Sequence, residues 1–134
     1  AAARVHDVAR LEKNHAAAGA RLLQEMGFSA MAAIVAVHME LSVTAASPLD
    51  EAQIVYLADK LVTGNKVAGL TQRFDAALKK HGRDPQAAEA IQQRWQAART
   101  IEAKVAEVSG GPLDHLLINA GIIRDTDGWN RPDA

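Results

Sequence analysis

Five residues in the first 59 could together do chemistry. His6 and Asp7 are adjacent near the start of the chain, and His15, His38 and Asp59 follow. Imidazole nitrogens and carboxylate oxygens are the donors that divalent metals of the transition series take up. A carboxylate has two oxygens, so Asp7 can bridge two ions. Two divalent ions about 3.5–4 Å apart can activate a water and clamp the oxygens of a phosphoryl group during in-line displacement. The protein's part in such a site is positioning and charge neutralisation. Arg10 and Lys13 come directly after the His-Asp pair and are placed to hold substrate phosphate, the arginine bidentately. The expectation is a metal centre that hydrolyses a phosphate ester, provided the chain brings the five residues together.

Each residue also has a plainer reading. A His-Asp dipeptide is common by chance. His15 at a helix start suits a surface residue, and a histidine on an apolar helix such as His38 is more often a satisfied core residue. Asp59 is hardest to dismiss, because Leu57, Ala58 and Leu61 around it are apolar and a half-buried carboxylate needs a metal or a partner. Lys60, Lys66 and Arg10 are the candidate partners for an ordinary salt bridge. Taken singly, Arg10, Lys13, Lys60 and Lys66 read as solvated charges. His81 and His115 read as structural or surface residues, and Trp95 and Trp129 as packing and tail residues.

The elements that must position these side chains read as helices. Alanine is abundant, aromatics are scarce, and β-branched residues form no alternating runs, so no sheet is expected. Residues 1–9 read as the end of a helix and 10–14 as a polar connection. Asn14 caps a second helix over 15–26, closed by Gly27, with Ala16, Ala20, Leu23 and Met26 on its apolar face. Gly19 inside it marks a close approach of another backbone. Ser29 caps a third helix over 30–40, apolar almost all round and therefore central, with His38 near its end. After a loop over 41–49, Asp50 caps a fourth helix over 51–63 with an apolar stripe of Ile54, Leu57, Ala58 and Leu61. A fifth covers 70–81 and stops at Gly82. Asp84-Pro85 opens a long helix over 86–108, with Ala90, Ile91, Trp95, Ala98, Ile101, Val105 and Val108 near helical spacing. A short helix over 113–120 follows. The expected organisation is one helical domain over 1–123 and a loose polar tail over 124–134.

A chain of 134 residues suits one domain with its own core. It has no cysteine, which excludes disulfides, thiolate metal sites and a cysteine nucleophile and fits a reducing, cytoplasmic setting. Fifteen basic residues against sixteen acidic ones, with no basic run, argue against a nucleic-acid partner. No apolar run approaches the roughly 18 residues of a membrane span, so no membrane partner is expected.

With the pieces in order, the pattern resembles a known family. His6-Asp7, then His15 followed by Ala16 to Leu23, then Ile34 to His38, then Ile54 to Lys60, resembles the HD-domain superfamily of metal-dependent phosphohydrolases over about residues 5–65, roughly half the chain. The resemblance implies an all-α HD-domain helical bundle. It implies His6, Asp7 and Asp59 as primary metal ligands, with His15 and His38 completing a second position and Asp7 bridging. The function it implies is cleavage of a phosphate ester or anhydride of a nucleotide or other small phosphorylated metabolite by a metal-activated water. One or two divalent ions are expected, with Mn, Fe, Ni, Co, Zn and Mg not distinguished by these donors.

The chain departs from the family in two places. The family's first histidine lies on a helix upstream of the His-Asp pair, and this sequence begins at Ala1. The expectation is that a preceding segment or a partner supplies it, in a longer multidomain chain. Many members carry lysine where Arg10 stands. The stretch 54–108 looks like stand-alone or fused HD domains found behind a nucleotidyltransferase-type domain, and the missing upstream histidine motivates the alternative of a non-catalytic regulatory HD module that binds a nucleotide or metal and reports to a fused or partner domain. The long helix over 86–108 offers a face for a homodimer.

Overall fold

The computed structural model of the protein describes residues 1–124. Among them are seven helices: α1 (Ala2–Val5), α2 (His15–Glu25), α3 (Ser29–Ala36), α4 (Glu51–Leu61), α5 (Leu70–His81), α6 (Pro85–Ser109) and α7 (Leu113–Asn119). An antiparallel hairpin of two-residue strands, β1 (Val62–Thr63) and β2 (Lys66–Val67), joins α4 to α5. The fold is all-α apart from that hairpin, as the sequence leads one to expect. The expected tail, with Trp129, lies outside the described residues except for Arg124. No helix among the described residues is long and apolar enough to cross a membrane.

Side-chain caps set the start of the two helices that carry the core. Asp50 Oδ1 accepts from Gln53 N at 2.8 Å and opens α4. Asp84 Oδ1 accepts from Gln86 N at 3.2 Å, with Pro85 as the first residue of α6. The other two expected caps do not form. Asn14 stands at the cap of α2 without a side-chain bond, and Ser29 lies inside α3, accepting instead from Gln24 Nε2 at 3.1 Å. Gly27 and Gly110 leave α2 and α6 at φ +84° and +77°, a backbone that other residues resist.

Two boundaries near the ligand candidates fall earlier than expected. α1 stops at Val5, so His6 to Asn14 is a run of turns closed by Val8 N to Val5 O, Arg10 N to Asp7 O and Glu12 N to Ala9 O at 2.8–3.0 Å. α3 stops at Ala36, where Val37 N and His38 N reach back three residues to Ile34 O and Val35 O, the tightened turn of a fraying end. Ile34, Val35 and Val37 are β-branched and weaken the helix there. His38 therefore stands beyond α3, on a turn. α3 is also buried on one face, through Ala32 and Val35, and not all round.

The main apolar cluster lies among α4, α5, α6 and α7, with Tyr56, Leu57, Leu61, Leu70, Phe74, Ala98, Ile101 and Leu113 at its centre. Trp95 stacks on Phe74 at 5.8 Å between ring centroids. The buried face of α4 is Gln53, Val55, Tyr56, Leu57, Lys60 and Leu61. The expected stripe is wrong at Ile54 and Ala58, which are exposed, as are Met26 and Val108. A second cluster of Leu23, Ala32 and Val35 sits between α2 and α3. At Gly19 an added Cβ would stand 3.2 Å from Val8 and 3.3 Å from Val35, so the close approach is by side chains and not by backbone. Lys104, buried on α6, donates to Ser47 Oγ at 2.9 Å and Gln53 Oε1 at 3.0 Å, and so ties the connection ahead of α4 to the core.

Candidate metal centre

His6, Asp7, His15, His38 and Asp59 meet in one place. Asp7 is at the centre. Its Oδ2 lies 3.6 Å from His6 Nε2, while its Oδ1 lies 3.4 Å from His15 Nε2 and 3.6 Å from His38 Nε2. His6 Nε2 is also 3.3 Å from Asp59 Oδ1. The two carboxylate oxygens of Asp7 thus address two separate sets of donors: His6 with Asp59 on one side, His15 with His38 on the other. His6, Asp7 and His38 can offer ligand atoms that all lie within 4.8 Å of one another.

Backbone geometry aims the histidines. His6 Nδ1 donates to Ala3 O at 2.8 Å and His38 Nδ1 donates to Val35 O at 2.7 Å. A carbonyl oxygen only accepts, so in each neutral ring the other nitrogen, Nε2, carries the lone pair. Both lone pairs belong to the atoms that face Asp7. The early end of α3 serves this purpose, because it puts fully buried His38 on a turn where its ring and its backbone N–H both reach back to the carbonyl of Val35.

The spacings are compatible with a set of donors to a shared ion. Charge-assisted N–H···O bonds run at about 2.7–2.9 Å, and the four imidazole–carboxylate separations exceed that. Donors about 2.1 Å from a common ion stand about 3.0–3.4 Å apart. The observed 3.3–3.6 Å falls at or just above that spacing. His15 Nε2 and His38 Nε2 are 3.1 Å apart, and two ring nitrogens face each other so closely only across a proton or a cation. The nitrogen and oxygen donors present fit a divalent ion.

Two further residues support the cluster: Lys60, expected as a candidate salt-bridge partner of Asp59 and found paired with it, and Arg73, which sequence reasoning passed over. Lys60 is buried, not solvated: its Nζ donates to Asp59 Oδ2 at 2.8 Å and to His38 O at 3.1 Å, and stands 4.5 Å over the Tyr56 ring. The available signal was its spacing, four residues after Tyr56 and three after Leu57, on the apolar face. Arg73 Nη1 on α5 donates to Asp59 O at 3.0 Å and to Val62 O, closing the C-terminal end of α4. Burial alone would raise the Asp59 carboxyl, but Lys60, with His6 and Arg73, outweighs it and holds the group below its ordinary value. Burial wins at Lys60, whose ammonium is pushed down despite Asp59.

A cavity of about 850 Å³ opens beside the cluster, lined by His6, Asp7 and Asp59 and by the cations Arg10, Lys66 and Arg73. Lys13 is exposed and does not line it, because the turns after Asp7 carry it away. His81 and His115 are exposed and apart from the site.

Residues 1–64 match the family described as HD domain. Searches among curated proteins and among solved structures found no match. The matched segment ends just past Asp59, contains all five clustered residues, and folds as the helical arrangement described above. The first 64 residues of this chain are an HD domain, of a family made up typically of metal-dependent phosphohydrolases.

Proposed function

We propose that the protein is a divalent-metal-dependent phosphohydrolase acting on a small organic phosphate, nucleotides included. The observation that carries this reading is the division of labour at Asp7, whose two oxygens each face a different histidine set. His6, Asp7 and Asp59 would hold one ion, and His15, His38 and Asp7 a second. Ions held there would supply Lewis-acid charge and a lowered pKa for the attacking water. Asp7 and Asp59 orient and neutralise, and Arg10 holds the scissile phosphate within the cavity that Asp7 also lines. The mixed imidazole and carboxylate set suits Mn, Fe, Co, Ni or Zn better than Mg.

Metal analysis of the purified protein tests this reading, together with hydrolysis of bis-p-nitrophenyl phosphate and a nucleotide panel after loading with each ion. Stoichiometric metal, and turnover that is lost in Asp7→Ala and Asp59→Ala, is expected. An absence of bound metal, or turnover unchanged in both variants, would falsify it.

A further inference from the structure

Part of the cavity wall comes from beyond the matched segment. Lys66 and Arg73 line it from β2 and α5. Both are mounted on the end of α4 that carries Asp59. The β1–β2 turn passes through Gly64 at φ +62°, Lys66 pairs with Thr63 across it, and Ala68 N to Leu61 O at 2.7 Å closes its base. Arg73 joins that base to α5 through Val62 O and Asp59 O.

The charges in this cavity do not balance. Asp7 and Asp59 face Arg10, Lys66 and Arg73, so two carboxylates meet three cations before any divalent ion is added. Neither Arg10 nor Lys66 has an ion-pair partner among the described residues. On the functional reading above, each divalent ion adds two positive charges, and a phosphomonoester returns at most two negative ones. Arg10, three residues after Asp7, serves the scissile phosphate. Lys66 then remains with no anion to hold, and Arg73, anchored through Nη1 to the carbonyls of Asp59 and Val62, adds its charge on the same side of a space far larger than one phosphate.

We infer that the substrate is an organic phosphate carrying a second anionic group, held by Lys66 and Arg73 on the hairpin side of the cavity. Its organic part lies between the two anions, along the alanine and valine wall of Ala58, Val62 and Ala76. This inference rests on the functional reading for the place of the first phosphate.

Calorimetric titration with phenyl phosphate and 4-carboxyphenyl phosphate tests it, since the two probes differ by one carboxylate. The wild-type chain is expected to bind the carboxylated probe about five-fold more tightly, the scale of one solvent-facing ion pair. Lys66→Ala, at an exposed hairpin position that leaves the core untouched, should bring the ratio within two-fold, and Lys66→Arg should keep it. A wild-type ratio below two, which includes binding of neither probe, overturns the inference, as does a preference that survives in Lys66→Ala. Release of the phenols from the same samples reports separately on hydrolysis. Turnover without a Lys66-dependent preference sinks the inference alone, and the preference without turnover sinks the hydrolytic reading alone.

Discussion

The two apolar clusters of this protein differ in what they hold up. The one among α4, α5, α6 and α7 gathers aromatic and large aliphatic side chains, and the chain there follows long, capped helices. The one between α2 and α3 consists of Leu23, Ala32 and Val35 with a few half-buried neighbours, and the backbone around it breaks into turns at 6–14 and 37–40. Four of the five metal-ligand candidates stand on or beside those turns. The fifth, Asp59, stands on α4, which belongs to the larger cluster. A regular helix points its side chains by its own period, whereas turns can aim several at one spot. The region with the smaller apolar cluster provides that aim, and the one with the larger cluster provides a fixed edge to aim at.

That contrast can be broken from either side. The largest effect is expected from Asp7→Ala. It should cost about a thousand-fold in metal-dependent turnover, about 4 kcal/mol of transition-state stabilisation. Its thermal midpoint should barely move, since Asp7 is partly exposed and outside both clusters. Ile101→Ala should do the reverse. It removes a fully buried side chain from the larger cluster and should cost about 3–4 kcal/mol in denaturant unfolding, with metal affinity retained wherever the chain is folded.

Lys60→Met joins the two effects. It leaves the Asp59 carboxylate and the His38 carbonyl without their shared donor, so about 3 kcal/mol of stability should be lost in the metal-free protein. Unfolding with added Mn²⁺ should show a smaller loss, because the ion takes over part of the neutralisation. Equal losses with and without Mn²⁺ would mean that Lys60 serves packing alone.

The smallest effect is confined to high pH. Burial raises the Tyr56 hydroxyl from its ordinary value to about 12, with its O–H donated to Arg94 O at 3.3 Å. A folded-state value above the unfolded one gives stability that is complete below pH 10 and lost as the pH rises toward 12. The loss should reach 2–3 kcal/mol, about two pH units' worth. Tyr56→Phe should flatten that slope relative to wild type while costing about 1 kcal/mol at neutral pH.

In the region of the larger cluster the helix limits were legible, though not the buried face of α4. α5 and the Asp84-Pro85 start of α6 follow from apolar spacing, a cap and a proline, signals that act locally. The five polar residues could be listed from their types, but the turns that aim them could not. α3 ends early through a competition between β-branched residues and three-residue backbone bonds that periodicity does not encode. The face of α4 differs from the expected stripe because Lys60, read as a solvated charge, and Gln53, outside that stripe, are buried while Ile54 and Ala58 are exposed. Lys60 and Gln53 are each buried against partners outside α4, His38 O for Lys60 and Lys104 and Pro48 O for Gln53. Arg73 was invisible for the same reason, since its partners are backbone carbonyls.

Lys60 and Lys104 have a consequence in the language of acylation kinetics. Both ammonium groups are buried and hydrogen-bonded, whereas Lys13, Lys66, Lys79 and Lys80 are exposed. An acylating reagent meets all six amines alike on the nascent chain, but in the folded protein it meets only four. The two protected amines hold the two ends of one connection, Lys60 at His38 and Lys104 at Ser47. An acyl group on either one therefore dates its own arrival: it came before folding, or while that connection was open.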